Sequence, residues 1–358
     1  MVQFETGEAL TSPLFRVEHI VKRWQFWLGL VVSAVFLWLA LRGLKLDEVI
    51  ADLRTANYAW LLPGAAVYFI GVLARTWRWH YLLQPLKPVP LARLFPVVVI
   101  GYMGNNIYPA RAGELLRAYV LKRNEGISAS ASLATVIVER IFDGVVMLLF
   151  VFVSLPAAQS AWNVPDSLRV IVFGGSLLFF SALIVFLWLA ARPATAARVY
   201  SFFIDRLLPG RFRAPVHGLL DRFMTGLAGL RSLRHMLMIF LTTLLIWLLE
   251  TTMYWFVTHA FVFEVPFVQL MLLNGVINLA TTIPALPGYV GTLELTSITV
   301  LMALGVDQTR ATSFTVVLHA ALWLPITLLG LYFMARASLR WSDLRRAAAS
   351  RDVETAGT

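Results

Sequence analysis

Six apolar runs long enough to cross a bilayer dominate this chain. They cover residues 24–41, 58–83, 131–155, 168–191, 235–261 and 311–335, and about 20 mainly apolar residues suffice for one membrane-spanning helix. Only 14% of the 358 residues are charged, whereas an ordinary soluble domain has about 25%. No stretch remains that could build a separate water-facing core. We therefore predict one all-α polytopic transmembrane domain over residues 1–358.

The basic residues lie between these runs and predict the orientation of the chain. Eight arginines fall within residues 192–234 and five more follow residue 335, and an excess of Lys and Arg marks cytoplasmic loops. We expect loop 192–234, with its amphipathic helices, the tail 336–358 and the N-terminus to be cytoplasmic. Without an organelle signal, a plasma or inner membrane is favoured. Because topology accounts for the net charge of +10, no nucleic-acid partner is expected.

Two further apolar stretches, 91–121 and 267–304, are broken by Pro and Gly. The first reads Gly-Asn-Asn-Ile-Tyr-Pro-Ala-Arg-Ala-Gly-Glu over 104–114, and the second reads Pro-Ala-Leu-Pro-Gly-Tyr-Val-Gly-Thr-Leu-Glu over 284–294. We predict one re-entrant hairpin in each half, 24–156 and 235–335, arranged as an inverted repeat. The alternative is that the prolines only kink two long helices. Paired breaks of this kind indicate a transporter's substrate site.

Charged residues inside predicted spans are costly and usually face a partner or a cavity. Glu139 and Asp143 lie one helical turn apart, while Arg140 points about 100° away and can pair with Glu114. Arg140 and Arg111 are the candidates for phosphate, because a guanidinium matches phosphate oxygens in a bidentate way. For the two carboxylates of the span, a structural ion pair and a substrate contact are both open.

Other ionisable residues carry weaker expectations. Arg75 and Arg78, next to tryptophans, are expected to mark a membrane interface without a special role. Carboxylates or imidazoles in the second half could carry a coupling proton. A single His on an apolar helix is more often hydrogen-bonded to a neighbour, so neither His259 nor His319 is taken as a site residue.

Motifs for common chemistry are missing from the sequence. It contains no phosphate-binding loop, no His-Glu-x-x-His and no Gly-x-Ser-x-Gly, and it has no cysteine. ATP-driven pumping and the common hydrolase mechanisms lose their main support. We expect no catalytic residues, no metal and no cofactor, and we do not expect an enzyme.

The motifs over residues 105–119, 134–143 and 284–294 resemble those of the lysylphosphatidylglycerol synthase transmembrane-domain family, a flippase-like family of integral membrane proteins. The resemblance implies that this chain moves lipids between leaflets. Some members carry a soluble domain that aminoacylates phosphatidylglycerol. This chain ends at Thr358, shortly after its last predicted span, so that activity is not expected here.

Taken together, the sequence favours a flippase for an anionic phospholipid or a polyprenyl-phosphate-linked lipid, working by alternating access of two inverted halves. The expected substrate-binding residues are Asn105, Asn106, Arg111, Glu114, Arg117, Glu139, Arg140, Asp143, Pro287, Gly288, Gly291 and Glu294. One alternative is an accessory protein that holds a lipid-modifying enzyme or a glycosyltransferase at the membrane. Another is a polyprenyl-phosphate-dependent transferase with Glu139 or Glu294 as base.

Overall fold

A computed structural model describes residues 30–108, 111–159, 192–207, 209–227, 232–261, 263–282 and 287–336, with isolated positions in 174–190 and at 230. Most of predicted span 168–191, both predicted cytoplasmic termini and the prolines at 109 and 284 lie outside these residues. Within them the chain is helical and contains no strand. The predicted all-α class is therefore confirmed for the described part of the chain.

Thirteen helices form the described part. They are α1 (Leu30–Leu41), α2 (Leu46–Thr55), α3 (Leu61–Leu83), α4 (Leu91–Ile107), α5 (Ala112–Glu125), α6 (Ala129–Gln159), α7 (Leu183–Ala190), α8 (Pro193–Leu207), α9 (Gly210–Gly226), α10 (Leu233–Ala260), α11 (Phe267–Ala280), α12 (Thr292–Ala303) and α13 (Gln308–Arg336). Short 3₁₀ turns at Tyr58–Trp60 and Pro287–Tyr289 precede α3 and α12.

Three of the described helices are long and apolar enough to cross a membrane, and they are Tyr58–Leu83, Leu233–Ala260 and Gln308–Arg336. Helix α6 also has the necessary length, at 31 residues, but it carries three charged side chains in its first half. Helices α7 and α8 meet at a bend of 109°. The chain is therefore a polytopic membrane protein, and the predicted number of six spans stays a prediction.

The two halves share one order of elements. A long helix, a pair of shorter helices and a second long helix follow each other as α3, α4–α5 and α6, and again as α10, α11–α12 and α13. The contacts between halves are reciprocal, because α3 packs on α10, α4 packs on α13, and α11 packs on α6. Each contact thus has a counterpart when the halves are exchanged. The inversion of the halves relative to a bilayer stays a prediction.

The first break reverses the chain, so it is not a simple kink. Helix α5 packs back along α4, and their closest approach is at Gly113, where a Cβ would lie 1.9 Å from the carbonyl oxygen of Gly101 and 2.5 Å from the backbone nitrogen of Asn105. Only a residue without a side chain fits there. The interpretation as a kinked helix is therefore wrong for the first break, whereas its re-entrant course in a membrane stays a prediction.

We expect Gly113→Ala to destabilise the protein, because the added methyl must push α5 away from α4. Overpacking of this kind costs roughly 1–3 kcal/mol and occasionally more. Thermal unfolding in detergent should show a lower midpoint than that of wild type. Gly174→Ala is the matched control, because no atom of the described residues lies within 4 Å of a Cβ there. Equal midpoints for the two variants would contradict this packing.

Helices α8 and α9 fall where amphipathic helices were predicted. On α8, Phe202 and Phe203 are more than half exposed, and α9 packs on α6. The hydroxyl of Tyr200 donates a hydrogen bond of 2.5 Å to Asp221 of α9, which raises the pKa of Tyr200 to about 12. The helices and their exposed aromatic face are thus observed, and their cytoplasmic location stays a prediction.

Candidate functional site

The ends of the two breaks meet at a central cavity of about 130 Å³. The cavity is bounded by α3, α4, α6, α10, α11, α12 and α13, and so by elements of both halves. Its wall is rich in aromatic side chains, which are Tyr68, Tyr102, Trp247, Tyr254, Tyr289 and Trp323. Sequence analysis did not identify these aromatics, because they are spread over five separate segments.

Arg111 connects the two breaks. It precedes α5 with a left-handed backbone (φ 53°, ψ 37°), a conformation that is uncommon for residues other than Gly and is often found at functional sites. Its guanidinium donates a hydrogen bond of 3.3 Å to the carbonyl oxygen of Thr281 and lies 5.7 Å from the ring centre of Tyr289. The positively charged side chain of Arg111, in the first hairpin, thus contacts two residues of the second hairpin.

Trp323 of α13 lies between the two breaks, in contact with Gly288 of the second and Asn106 of the first. Gly288 has a positive φ of 70°, and a Cβ there would lie 2.8 Å from the indole nitrogen of Trp323. That indole donates to the carbonyl oxygen of Asn106 at 3.4 Å, and the Asn106 amide donates to Thr327 at 2.9 Å. Pro287 opens the 3₁₀ turn that carries Gly288. The structure therefore brings predicted tip residues of both hairpins together.

Arg140 reaches the cavity from α6. Its guanidinium lies 3.7 Å from Glu114 and 3.0 Å from Asp143, and its side chain is 33% exposed. The predicted pairing of Arg140 with Glu114 is confirmed. Arg111 is 3.9 Å from the same carboxylate. Glu114 therefore positions both guanidiniums that were predicted to bind phosphate.

Glu139 and Asp143 lie behind the cavity wall in a buried charge network. Glu139 is 1% exposed, forms an ion pair with Arg117 and lies 3.7 Å from Arg78. Asp143 accepts hydrogen bonds from Arg78 at 2.6 Å and from Trp247 at 2.9 Å. Neither carboxylate lines the cavity. Of the two interpretations open for them, the contacts favour a structural role.

Arg75 and Arg78 are not at an exposed membrane interface, so that expectation is wrong. Arg78 is 1% exposed in the network with Asp143, and Arg75 is 6% exposed. Arg75 forms an ion pair with Glu250 of α10 and lines the cavity. Carboxylates within predicted spans usually have cationic partners. This rule could have identified Arg75 and Arg78 as partners of such carboxylates.

The described network has an excess of positive charge. Five guanidiniums (Arg75, Arg78, Arg111, Arg117 and Arg140) face four carboxylates (Glu114, Glu139, Asp143 and Glu250), and a fifth carboxylate, Glu294, is paired with His319. The buried Nε of Arg140 and Oδ1 of Asn105, both at the cavity, have no hydrogen-bond partner among the described residues. Buried polar atoms without partners are costly. The site thus offers a ligand a surplus of positive charge, and the side chain of Arg140 is 33% exposed.

Glu294 and His319 form a pair beside the second break. Nδ1 of His319 lies 2.5 Å from Glu294, and the other carboxylate oxygen of Glu294 accepts from the backbone nitrogen of Gly291 at 2.6 Å. The expectation that His319 is hydrogen-bonded to a neighbour is confirmed, and that neighbour belongs to another helix, α12. It is also confirmed for His259, whose ring contacts the carbonyl oxygen of Trp255 at 2.8 Å.

These features define the class of protein, a polytopic helical membrane protein with a basic cavity between two similarly built halves. The sequence matches the family described as "Lysylphosphatidylglycerol synthase TM region" over residues 26–330, and the chain belongs to this family. The predicted family is therefore confirmed.

Several relatives are similar over most of this chain. A protein named "UPF0104 membrane protein" from Methanothermobacter thermautotrophicus is 28% identical over 85% of this chain and 90% of its own length. "UPF0104 membrane protein PH1989" from Pyrococcus horikoshii is 22% identical over 85% of this chain and 93% of its own. "Glycosyltransferase AglD" from Haloferax volcanii is 26% identical over 87% of this chain, and the match covers 54% of that relative.

Proposed function

We propose that this protein moves lipids with an anionic head group between the leaflets of the membrane. The observation that carries the proposal is Arg140, a guanidinium that is 33% exposed in a cavity whose wall contains three arginines and one carboxylate, Glu250. A guanidinium fork suits a phosphate. The lipid tails would stay in the hydrocarbon while the head group enters the cavity.

The reciprocal contacts between the halves support movement of the lipid by alternating access. If the halves are inverted relative to the bilayer, exchanging their two arrangements opens the same cavity first to one side and then to the other. The two breaks would then act as gates, and Arg111 would keep its position between them. Movement of this kind needs no covalent step, and we propose none.

The name of the relative AglD raises a second possibility, transfer of a sugar. The carboxylates that contact the cavity or its network are each paired with an arginine or with His319, so none is free to act as a general base. The match also covers only 54% of that relative. Lipid movement is therefore the function that the described geometry supports best.

Purified protein in liposomes can test the proposal. Fluorescent phosphatidylglycerol, polyprenyl phosphate and phosphatidylcholine would be placed in separate preparations, and a membrane-impermeant quencher would report how much inner-leaflet probe becomes accessible. We expect the two anionic lipids to move faster than phosphatidylcholine and faster than in protein-free liposomes. Equal rates for anionic and zwitterionic probes, or no movement of either, would contradict the proposal.

A further inference from the structure

His319 is held between two hydrogen-bond acceptors. Its Nε2 lies 2.9 Å from the carbonyl oxygen of Gly288, and because a carbonyl only accepts, Nε2 must carry a hydrogen. Its Nδ1 lies 2.5 Å from a carboxylate oxygen of Glu294. Two bare lone pairs would repel at that distance, so a proton lies between them. The pair therefore holds one exchangeable proton.

That proton sets the charge at one side of the cavity. With it the His319–Glu294 pair is neutral overall, and without it the pair has one negative charge. The other ionisable groups of the cavity wall are Tyr68, Arg75, Tyr102, Arg111, Arg140, Glu250, Tyr254 and Tyr289. Glu250 is paired with Arg75, so the surplus guanidinium dominates this field. Loss of the proton would cancel that surplus and weaken the attraction for an anion.

The proton of the His319–Glu294 pair also affects the region where the two breaks contact each other. Without it, the carboxylate of Glu294 would face the lone pair of Nδ1, and the contact between α13 and the N-terminus of α12 would open. Glu294 also binds the backbone nitrogen of Gly291, and Gly288 packs against Trp323. A change at His319 therefore reaches the gate residues through direct contacts.

We propose that His319 and Glu294 form the proton-binding site of a proton-coupled transporter, which loads one proton together with each anionic head group. The inference rests on the lipid movement proposed above. The proton enters from water in the cavity on one side and leaves on the other, and no other bond changes. By linkage, a bound anion strengthens proton binding by the same factor as the proton strengthens anion binding.

A pH gradient across liposomes tests the coupling. With the membrane potential clamped, one-to-one coupling predicts that one unit of gradient drives about a tenfold asymmetry of fluorescent phosphatidylglycerol, accompanied by proton flux into or out of the lumen. His319→Gln and Glu294→Gln should abolish the asymmetry. His259→Gln should preserve it, because His259 lies outside the cavity wall. Lipid movement in wild type without asymmetry, or asymmetry retained in His319→Gln, would overturn the proposal.

A second measurement does not depend on transport. Nitrogen-15 resonances of histidine in nanodiscs would be recorded against pH, with His319 assigned by its absence in His319→Gln. At a fixed pH we expect more of the His319–Glu294 pair to hold its proton in phosphatidylglycerol than in phosphatidylcholine nanodiscs, with no such difference at His259, which lies outside the cavity wall. Equal proton occupancy in both lipids, or a difference that His259 shares, would overturn the proton site. If no lipid moves but this difference is found, lipid movement fails as the function while the linked proton site stands.

Discussion

Arg140→Ala is expected to reduce translocation of anionic lipids by about 10- to 100-fold, because hydrogen bonds to charged groups contribute roughly 1.5–3 kcal/mol each. The fold should survive this change. Asp143 keeps its bond of 2.6 Å to Arg78, and Glu114 keeps Arg111 at 3.9 Å. The liposome assay with a membrane-impermeant quencher measures the rate, and the thermal midpoint in detergent shows whether the protein is intact.

Arg140→Lys separates charge from geometry at the same position. A lysine keeps the positive charge but lacks the planar fork, so we expect a rate between those of wild type and Arg140→Ala. Phosphatidylcholine serves as the lipid control, because a loss confined to anionic probes places the defect at the head group. A rate near that of wild type in Arg140→Ala would show that this guanidinium does not bind the substrate.

Glu139→Gln is expected to cause the largest loss of stability. Glu139 is 1% exposed between Arg117 and Arg78, and removing one partner from a buried ion pair costs about 3–5 kcal/mol, because the remaining charge is left uncompensated. Thermal unfolding in detergent should show a strongly lowered midpoint. The exposed pair of Lys45 and Glu48 provides the control, since Glu48→Gln should leave the midpoint unchanged.

A double variant distinguishes a charge defect from a packing defect. In Glu139→Gln with Arg117→Met, the uncompensated guanidinium is replaced by an apolar side chain, and replacing a buried ion pair by apolar groups is often neutral. We expect the second substitution to restore much of the lost midpoint, because Arg78 retains Asp143. A double variant that is as unstable as the single one would show that the cost comes from packing.

The positions of the two breaks could be predicted from sequence because Pro and Gly act locally. The pairing of Arg140 with Glu114 could also be predicted. Arg140 lies on the span that follows the first hairpin, and Glu114 is the carboxylate in the first turn of the second helix of that hairpin. The left-handed backbone of Arg111 could not be predicted, because a residue other than Gly adopts it only under tertiary constraint. The predicted tip residues therefore had correct neighbours, whereas their conformations needed the structure.

Partners distant in the chain escaped the sequence analysis. Arg75 was assigned to an interface because it stands beside aromatic residues, but its carboxylate is Glu250 of the other half. His319 was set aside because a single His on an apolar helix is more often hydrogen-bonded to a neighbour, and the neighbour that it meets, Glu294, lies 25 residues earlier. Helical periodicity places a residue on a face, and only the packing of helices determines which residue it meets.

The pairing of Arg75 with Glu250 also has a consequence for the synthesis and membrane insertion of the protein. The two residues are 175 positions apart, and at about 5–20 residues per second the ribosome needs about 10–35 s to make that segment. Until then Arg75 lacks the carboxylate with which it pairs in the folded protein. We therefore expect α3 to take its final position in the bilayer only after α10 has been synthesised.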